Sequence, residues 1–255
     1  MNIFVALKQT FDTEEKIVVE NGSVKEDGVR FVLNPYDEYA VEEAIKLRDE
    51  FGGQVTVVTI GPDRAQEALR TALAMGADEA VHISDESLFG DEFTVSNVLA
   101  SFFKGKEFDI ILTGNQAVDS GSGQTAVRLA ELLNIAHIST ITKLEISGTD
   151  VIAHRDAEGD LEVVGAKLPI LVTCQQGLND PRYPSLIGIR KANKKPLETP
   201  GASDLGVEAA SIGSKATVQE TFLPAAKAAG RILEGDNDGR VQELVNLLKN
   251  EAKVL

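Results

Sequence analysis

Apolar and polar positions alternate along the first half of the chain in blocks that favour two different geometries. The runs "IFVAL" (Ile3 to Leu7), "VTVVTI" (Val55 to Ile60), "AVHI" (Ala80 to Ile83) and "DIILT" (Asp109 to Thr113) are short and apolar on both faces, as parallel strands buried between layers are. Between them apolar residues recur at helical spacing. The first helix opens at Asn34–Pro35, a capping residue followed by proline, carries Asp37 and Glu38 in its first turn, and stops at Gly52–Gly53. A second runs from about Asp63 to Met75, where Ala65, Ala68, Leu69, Ala72 and Leu73 supply the stripe and Gly76 closes it. A third spans Phe93 to Phe103, and a fourth begins near Gln124. Strand and helix in alternation predict right-handed crossovers and a three-layer, Rossmann-like α/β fold: a mostly parallel sheet with helices on both faces.

Two excursions break the alternation. Asn21–Gly22 between alternating runs predicts a small hairpin on the way from the first strand to the first helix. After Ile138, strand-like runs split by Ser147–Gly148 and Glu158–Gly159 predict antiparallel strands at one sheet edge. Beyond about Thr199 the periodicity fades, then resumes near Pro224 to Leu233 and Val241 to Leu248. The chain therefore reads as an α/β unit over residues 1–200 and a C-terminal arm over 201–255 that carries helices. The arm is too poor in large apolar groups for a core of its own, and is expected to wrap over a partner subunit.

Composition narrows the function classes. The single cysteine, Cys174, excludes an internal disulfide framework and a multi-cysteine metal site. The start "MNIFVALKQ" has neither the basic region nor the apolar stretch of a signal peptide, and no run is long enough for a membrane span, so a cytoplasmic protein is expected. A net charge of −15 argues against a nucleic-acid binder. One island departs from that acidity: "PRYPSLIGIRKANKKP", Pro181 to Pro196, holds Arg182, Arg190, Lys191, Lys194 and Lys195 and no acid. Its apolar residues Leu186, Ile187 and Ile189, rimmed by cations, fit either a docking surface or a segment folded back on the domain.

In a parallel α/β sheet, ligands sit beyond the carboxyl ends of the strands. There "GNQAVDSGSGQTAVRLAELLN" follows the strand ending at Thr113 and feeds a helix. The backbone N–H groups of Ser120 to Gln124 are expected to point at an anion, with Gly121 and Gly123 allowing close approach and Ser120, Ser122 and Thr125 adding hydroxyls. It is neither a Walker loop nor a Gly-x-Gly-x-x-Gly turn. By itself the spacing fits an anion cradle or a tight strand-to-helix turn. The loops at Ala6 to Lys8 and Ile60 to Asp63 and the helix start Asn34 to Asp37 should open on the same face, as a nucleotide site or as ordinary turns. Catalytic signals are weak. His82, His137 and His154 stand apart, Cys174 reads as a buried inert thiol, and Asp156, Glu158, Asp160 and Glu162 read as a solvated hairpin. No His or Lys is evident over the loop near Gly121, so an autonomous enzyme is not expected.

Several ordered motifs resemble one family, the beta subunit of electron transfer flavoproteins, from Met1 to about Leu205. They are "NPYDEYAVEEAIKLRD", "ALRTALAMGAD", "GNQAVDSGSGQT", "VIAHRDAEGDLEVVGAKLPILVT" and "GLNDPRYPSLIGIRKANKKP", in a form similar to that of Gram-positive bacteria. The resemblance implies an adenine-nucleotide-binding fold and a heterodimer whose alpha subunit holds the redox-active FAD. Electrons would come from dehydrogenases, such as acyl-CoA dehydrogenases, and pass to a quinone-linked oxidoreductase. It implies a structural AMP in this chain, at Ala6, Asn34, Pro35, Tyr36, Asp37 and Ile60, and along Ala117, Val118, Asp119, Ser120, Gly121, Ser122, Gly123, Gln124, Thr125, Ala126, Val127 and Arg128. It further implies docking on the dehydrogenase through Leu186, Ile189, Arg190 and Lys191, with Lys194 and Lys195 steering, and an approach of Tyr36 and the Lys8 to Thr13 segment to the partner's flavin. Family members often read Leu-Pro-x-Ile-Met-Lys where this chain reads Leu186–Ile187–Gly188–Ile189–Arg190–Lys191, so a less pre-organised loop is expected. A bifurcating branch places a second FAD where AMP sits and often carries Asp-Gly-Asp-Thr-Ala-Gln in the phosphate loop. A self-dimerising nucleotide-binding signalling or stress module is the third reading of the fold.

Overall fold

The computed structural model describes residues 1–227 and 229–255. In chain order the elements are β1 (Asn2–Ala6), β2 (Gln9–Phe11), β3 (Val19–Glu20), β4 (Ser23–Val24), β5 (Phe31–Leu33), α1 (Pro35–Phe51), β6 (Gln54–Ile60), α2 (Gln66–Met75), β7 (Glu79–Ile83), α3 (Glu92–Phe103), β8 (Ile110–Gly114) and α4 (Thr125–Leu133). There follow β9 (Ala136–Ser147), β10 (Asp150–Ala157), β11 (Asp160–Lys167), β12 (Ile170–Cys174), α5 (Leu186–Ala192), β13 (Leu197–Glu198) and α6 (Asn237–Asn250).

One sheet runs β11-β10-β9-β12-β8-β1-β6-β7-β13. From β9 to β13 every pair is parallel, and β9, β10 and β11 form the expected antiparallel edge. The apolar runs fill two cores. Val5, Val55, Val57, Ile110 and Val172 pack beneath Ala40, Val41, Ala44 and Ile45 of α1 and Leu69, Ala72 and Leu73 of α2. On the other face Val58, Val81, Ile83, Ile111 and Leu171 meet Val98, Leu99, Phe102 and Phe103 of α3 and Leu129 of α4. Phe4, Phe102, Phe103 and Phe108 meet edge to face there, an arrangement that adds to simple burial. The three-layer α/β architecture is the one the periodicity predicts, and Asn21–Gly22 does close the two-residue turn between β3 and β4.

The tail departs from its prediction. Residues 224–227 and 229–233 form no helix, and the late helix is α6, longer than the expected Val241 to Leu248. Among the described residues of this stretch Ile232 is exposed and only Leu233 is half-buried, and a short helix with so little packing is marginal in water. α6 begins where the Asp236 carboxylate accepts the Gly239 N–H at 2.8 Å. The arm's root, by contrast, lies on its own chain: Ala202, Leu205, Val207, Ala209 and Ile212 pack against the α3 side of the core. Among the described residues, no helix is long and apolar enough to cross a membrane.

Candidate functional site

The carboxyl ends of β1, β6 and β8 and the N-terminal ends of α1, α3 and α4 surround a cavity of about 300 Å³. Asn34 and Asp37, at the start of α1, fix its shape. The Asn34 side-chain amide donates to the Gln116 carbonyl (2.9 Å) and its oxygen accepts the Val118 N–H (3.1 Å). The Asp37 carboxylate accepts the N–H groups of Lys8 (2.7 Å) and Gly114 (2.8 Å), tying the ends of β1 and β8 to one side chain. A β-carbon on Gly114 would lie 2.4 Å from Asp37 Oδ1, so only glycine allows the strand end to come this close. Burial pushes the Asp37 carboxyl up to about 7, against the downward pull of those two N–H groups.

The loop before α4 presents its donors slightly later than the spacing implied. Ser120 and Gly121 turn back, their N–H groups donating to the Ala117 carbonyl (3.3 and 2.8 Å). The main-chain N–H groups from Ser122 to Val127 make no hydrogen bond among the described residues, and Gln124 supplies no side-chain cap. Gly123 holds φ at 60°, with its main chain turned into the cavity beside Asn115 and Gln116. Unpaired N–H groups at a helix start, reinforced by the helix dipole, form an anion-binding nest.

Of the residues named from sequence, Ala6, Asn34, Asp37, Ile60, Ala117, Ser120, Ser122, Gly123, Gln124, Thr125 and Ala126 line this cavity. Pro35, Val118, Asp119, Gly121, Val127 and Arg128 do not; Val118 and Val127 are exposed, and Arg128 lies along α4 with its guanidinium on Gln124 Oε1 (2.8 Å). Tyr36 borders a separate open depression with Thr142, Asp156, Gln175 and Gln176.

Two features of the cavity escape sequence reasoning. The first is the N-terminal end of α3, where Gly90, Asp91, Glu92, Val95 and Leu99 close one wall. Asp91 caps α3 through the Thr94 N–H (3.0 Å) and also accepts the N–H groups of Lys215 (2.7 Å) and Ala216 (2.8 Å), so it clamps the arm's root to the cavity rim. Those N–H groups, Thr94's foremost, hold its carboxyl down at about 2. The signal was the Asp91–Glu92 pair ahead of the helical stripe. The second is Lys8, whose ammonium meets Asp119 of the loop at 2.7 Å. The expectation that no lysine stands by this loop is corrected: Lys8 is far from it in sequence and arrives through the parallel pairing of β1 with β8.

The basic island is also sorted by the structure. Residues 186–192 form a helix, α5, with the Ser185 hydroxyl accepting the Gly188 N–H (2.9 Å), so a proline is not needed to order it. Leu186 is 81% exposed and Ile189 48%. The Arg182 guanidinium forms a two-point pair with Glu42 (2.8 and 2.9 Å). Burial opposes the Glu42 charge, but Arg182 outweighs it and keeps that carboxyl below its usual value. Lys195 is also engaged by its own chain, its ammonium donating to the Leu73 (2.9 Å) and Ala77 carbonyls at the end of α2. The acidic hairpin is the β10–β11 turn, Cys174 is buried with its thiol pushed well up by that burial, and no metal-binding cluster occurs among the described residues.

A family model described as the electron transfer flavoprotein domain matches residues 21–205. The chain is 54% identical over 257 residues to the electron transfer flavoprotein subunit beta of Bacillus subtilis (strain 168), with 100% of each covered. It is 40% identical over 255 residues to the subunit of the same name from Syntrophomonas wolfei, covering 100% of this chain and 98% of the relative. The caffeyl-CoA reductase-Etf complex subunit CarD of Acetobacterium woodii is 38% identical over 259 residues, covering 98% and 99%. A match of this extent, on a fold with a parallel sheet and an open nest at its carboxyl edge, leaves one conclusion. The chain belongs to the beta-subunit family of the electron transfer flavoproteins, electron carriers that work with an alpha subunit and are not enzymes in their own right.

Proposed function

We propose that this chain binds one AMP in the cavity between α1, α3 and α4 and docks against an alpha subunit whose FAD carries the electrons. The observation that carries this reading is the run of unpaired N–H groups from Ser122 to Val127 at the head of α4, where Ser122 to Ala126 line the cavity. They suit a phosphate, and Ala6, Val58, Ile60, Val95 and Leu99 offer apolar walls to a base. A volume of about 300 Å³ is at the small end of ligand sites, which favours a mononucleotide over a dinucleotide. AMP supplies no redox chemistry, so its role is structural. Asn34 and Asp37 keep the loops shaped for it, since their polar atoms are already engaged by main-chain groups.

In this reading the heterodimer takes electrons from acyl-CoA or related dehydrogenases and delivers them toward a quinone-linked oxidoreductase, in the cytoplasm. Leu186 and Ile189 are the anchors for the dehydrogenase, with Arg190 and Lys191 beside them, and their exposure on a capped helix supports that role. Residues 1–200 are the nucleotide-binding unit and 201–255 the arm that packs on the alpha subunit; the exposed Val241, Leu244 and Val245 of α6 support such a contact. In this reading Tyr36 and the Lys8 to Thr13 segment approach the partner's flavin.

The test is to purify the chain with its alpha subunit, denature the complex and quantify the nucleotides released. One FAD and one AMP per heterodimer is the expected result. Two FAD and no AMP would make the chain the beta subunit of a bifurcating flavoprotein, and neither ligand would remove the nucleotide site.

A further inference from the structure

The short helix α5 is held unusually tightly for a surface element. A β-carbon added to Gly188 would sit 2.3 Å from the Ala74 carbonyl oxygen, so the main chain of α5 rests directly on the last turn of α2. Two cations complete the seat. Arg70 donates to the Ala192 carbonyl (2.7 Å) at the far end of α5, and Lys195 donates to the Leu73 carbonyl (2.9 Å) and to that of Ala77. A cation on the carbonyls of a helix end is favourably placed. The contacts made by α5 itself run through Gly188 and Ala192, four residues apart on one side of the helix, while Leu186, Ile187 and Ile189 remain 81%, 66% and 48% exposed. Lys191 and Lys194 are exposed as well.

We propose that the C-terminal turn of α2 is a seat that aims the Leu186 anchor at the partner dehydrogenase, with Gly188, Arg70 and Lys195 as its positioning residues. This inference rests on the docking reading of α5. The cations then divide by role: Lys195 of the island and Arg70 of α2 set the geometry of the anchor, and Lys191 and Lys194 act only through long-range attraction. A fixed anchor lowers the ordering cost of each encounter, so loosening the seat weakens docking and leaves electron transfer within the docked complex unchanged. A methyl group at Gly188 displaces α5 by about 1 Å, enough to misplace an anchor residue.

The experiment uses the intact heterodimer as acceptor and an acyl-CoA dehydrogenase, reduced by its acyl-CoA substrate, as donor, at low and high salt. Gly188→Ala is expected to raise the KM for the heterodimer about tenfold with kcat within about twofold, equally at both salt concentrations. Lys195→Gln and Arg70→Gln shift the KM in the same sense, and they decide the matter if the Gly188 variant fails to fold. Lys195→Arg, which can still reach the carbonyls, restores most of the loss. Lys191→Gln with Lys194→Gln raises the KM at low salt only, and reduction of the flavin by dithionite is unchanged throughout. If Leu186→Ala raises the KM while Gly188→Ala and Lys195→Gln do not, the seat is wrong and the docking reading stands. A Lys195→Gln effect confined to low salt overturns the seat too, because it makes that lysine a steering charge. If Leu186→Ala has no effect, both readings fall.

Discussion

Asp37→Asn probes the side chain on which the cavity hangs. Asp37 is 5% exposed and its two oxygens accept the N–H groups of Lys8 and Gly114 at 2.7 and 2.8 Å. Asparagine keeps one acceptor oxygen and turns an NH2 group toward the other N–H, leaving a buried donor unpaired at a cost of about 1–3 kcal/mol. The pH dependence is the sharper signature. Burial raises the carboxyl from 3.8 to about 7, against the pull of the two N–H groups. Because the folded value lies above the unfolded one, the folded chain keeps a proton that the unfolded chain has lost. The stability from this group is therefore full below about pH 4 and is lost as pH rises to about 7. At about 1.4 kcal/mol per pH unit, a gap of roughly three units amounts to about 4 kcal/mol. Asparagine does not titrate, so the deficit of the variant should be largest in acid and should vanish or change sign toward pH 8. Urea unfolding of wild-type and variant heterodimers across about pH 5 to 8 measures the difference. A difference that stays constant over this range would show that Asp37 remains charged in the fold, and would refute the reasoning.

Three other substitutions test neighbouring parts of the site. Gly123→Asp places a carboxylate in the nest at a residue with φ of 60°, and AMP retention in the purified heterodimer should weaken at least tenfold, roughly, by nucleotide quantification; full AMP content would count against the nest. Gly114→Ala forces a β-carbon to within 2.4 Å of Asp37 Oδ1, for an overpacking cost of about 1–3 kcal/mol. An unchanged Tm would mean that the strand end can move away. Asp91→Ala removes the cap of α3, about 1 kcal/mol, and releases the N–H groups of Lys215 and Ala216. Limited proteolysis should then cut near residues 214–216 faster than in wild type, and wild type should approach the same behaviour as pH falls from about 4 toward 2, the carboxyl's folded value.

What could be read in the sequence and what could not divide along one physical line. The strands, the first four helices and the Asn21–Gly22 turn depend on neighbours in the chain, through side-chain period, caps and turn residues, and each appears close to its expected place. The general position of the cavity was legible for a similar reason, because the carboxyl edge of a parallel sheet is fixed once strand direction is known. The roles of individual cations were not legible. Arg182, Lys195, Lys191 and Lys194 share one basic run, yet the first is bound to Glu42, 140 residues away, and the second to Leu73, 122 residues away, while the other two stay exposed. Lys8 meets Asp119 across 111 residues for the same reason.

Such partners are set by which strands lie side by side and by which helix end faces which turn, and no local pattern encodes that. The lack of a helix among the described residues 224–227 and 229–233 follows the same rule from the other side. Its alternation of small and apolar residues is compatible with a helix, but with Ile232 90% exposed the described residues bury little apolar surface to hold one. α6 differs because it carries its own cap and fourteen residues, which spreads the cost of nucleation over several turns. Local signals therefore place the sheet and the cavity at its carboxyl edge, whereas α5 and the arm take their meaning from surfaces outside their own segments. Substitutions in the first group should show themselves in the folding and nucleotide content of the subunit, and those in the second in its encounters with other proteins.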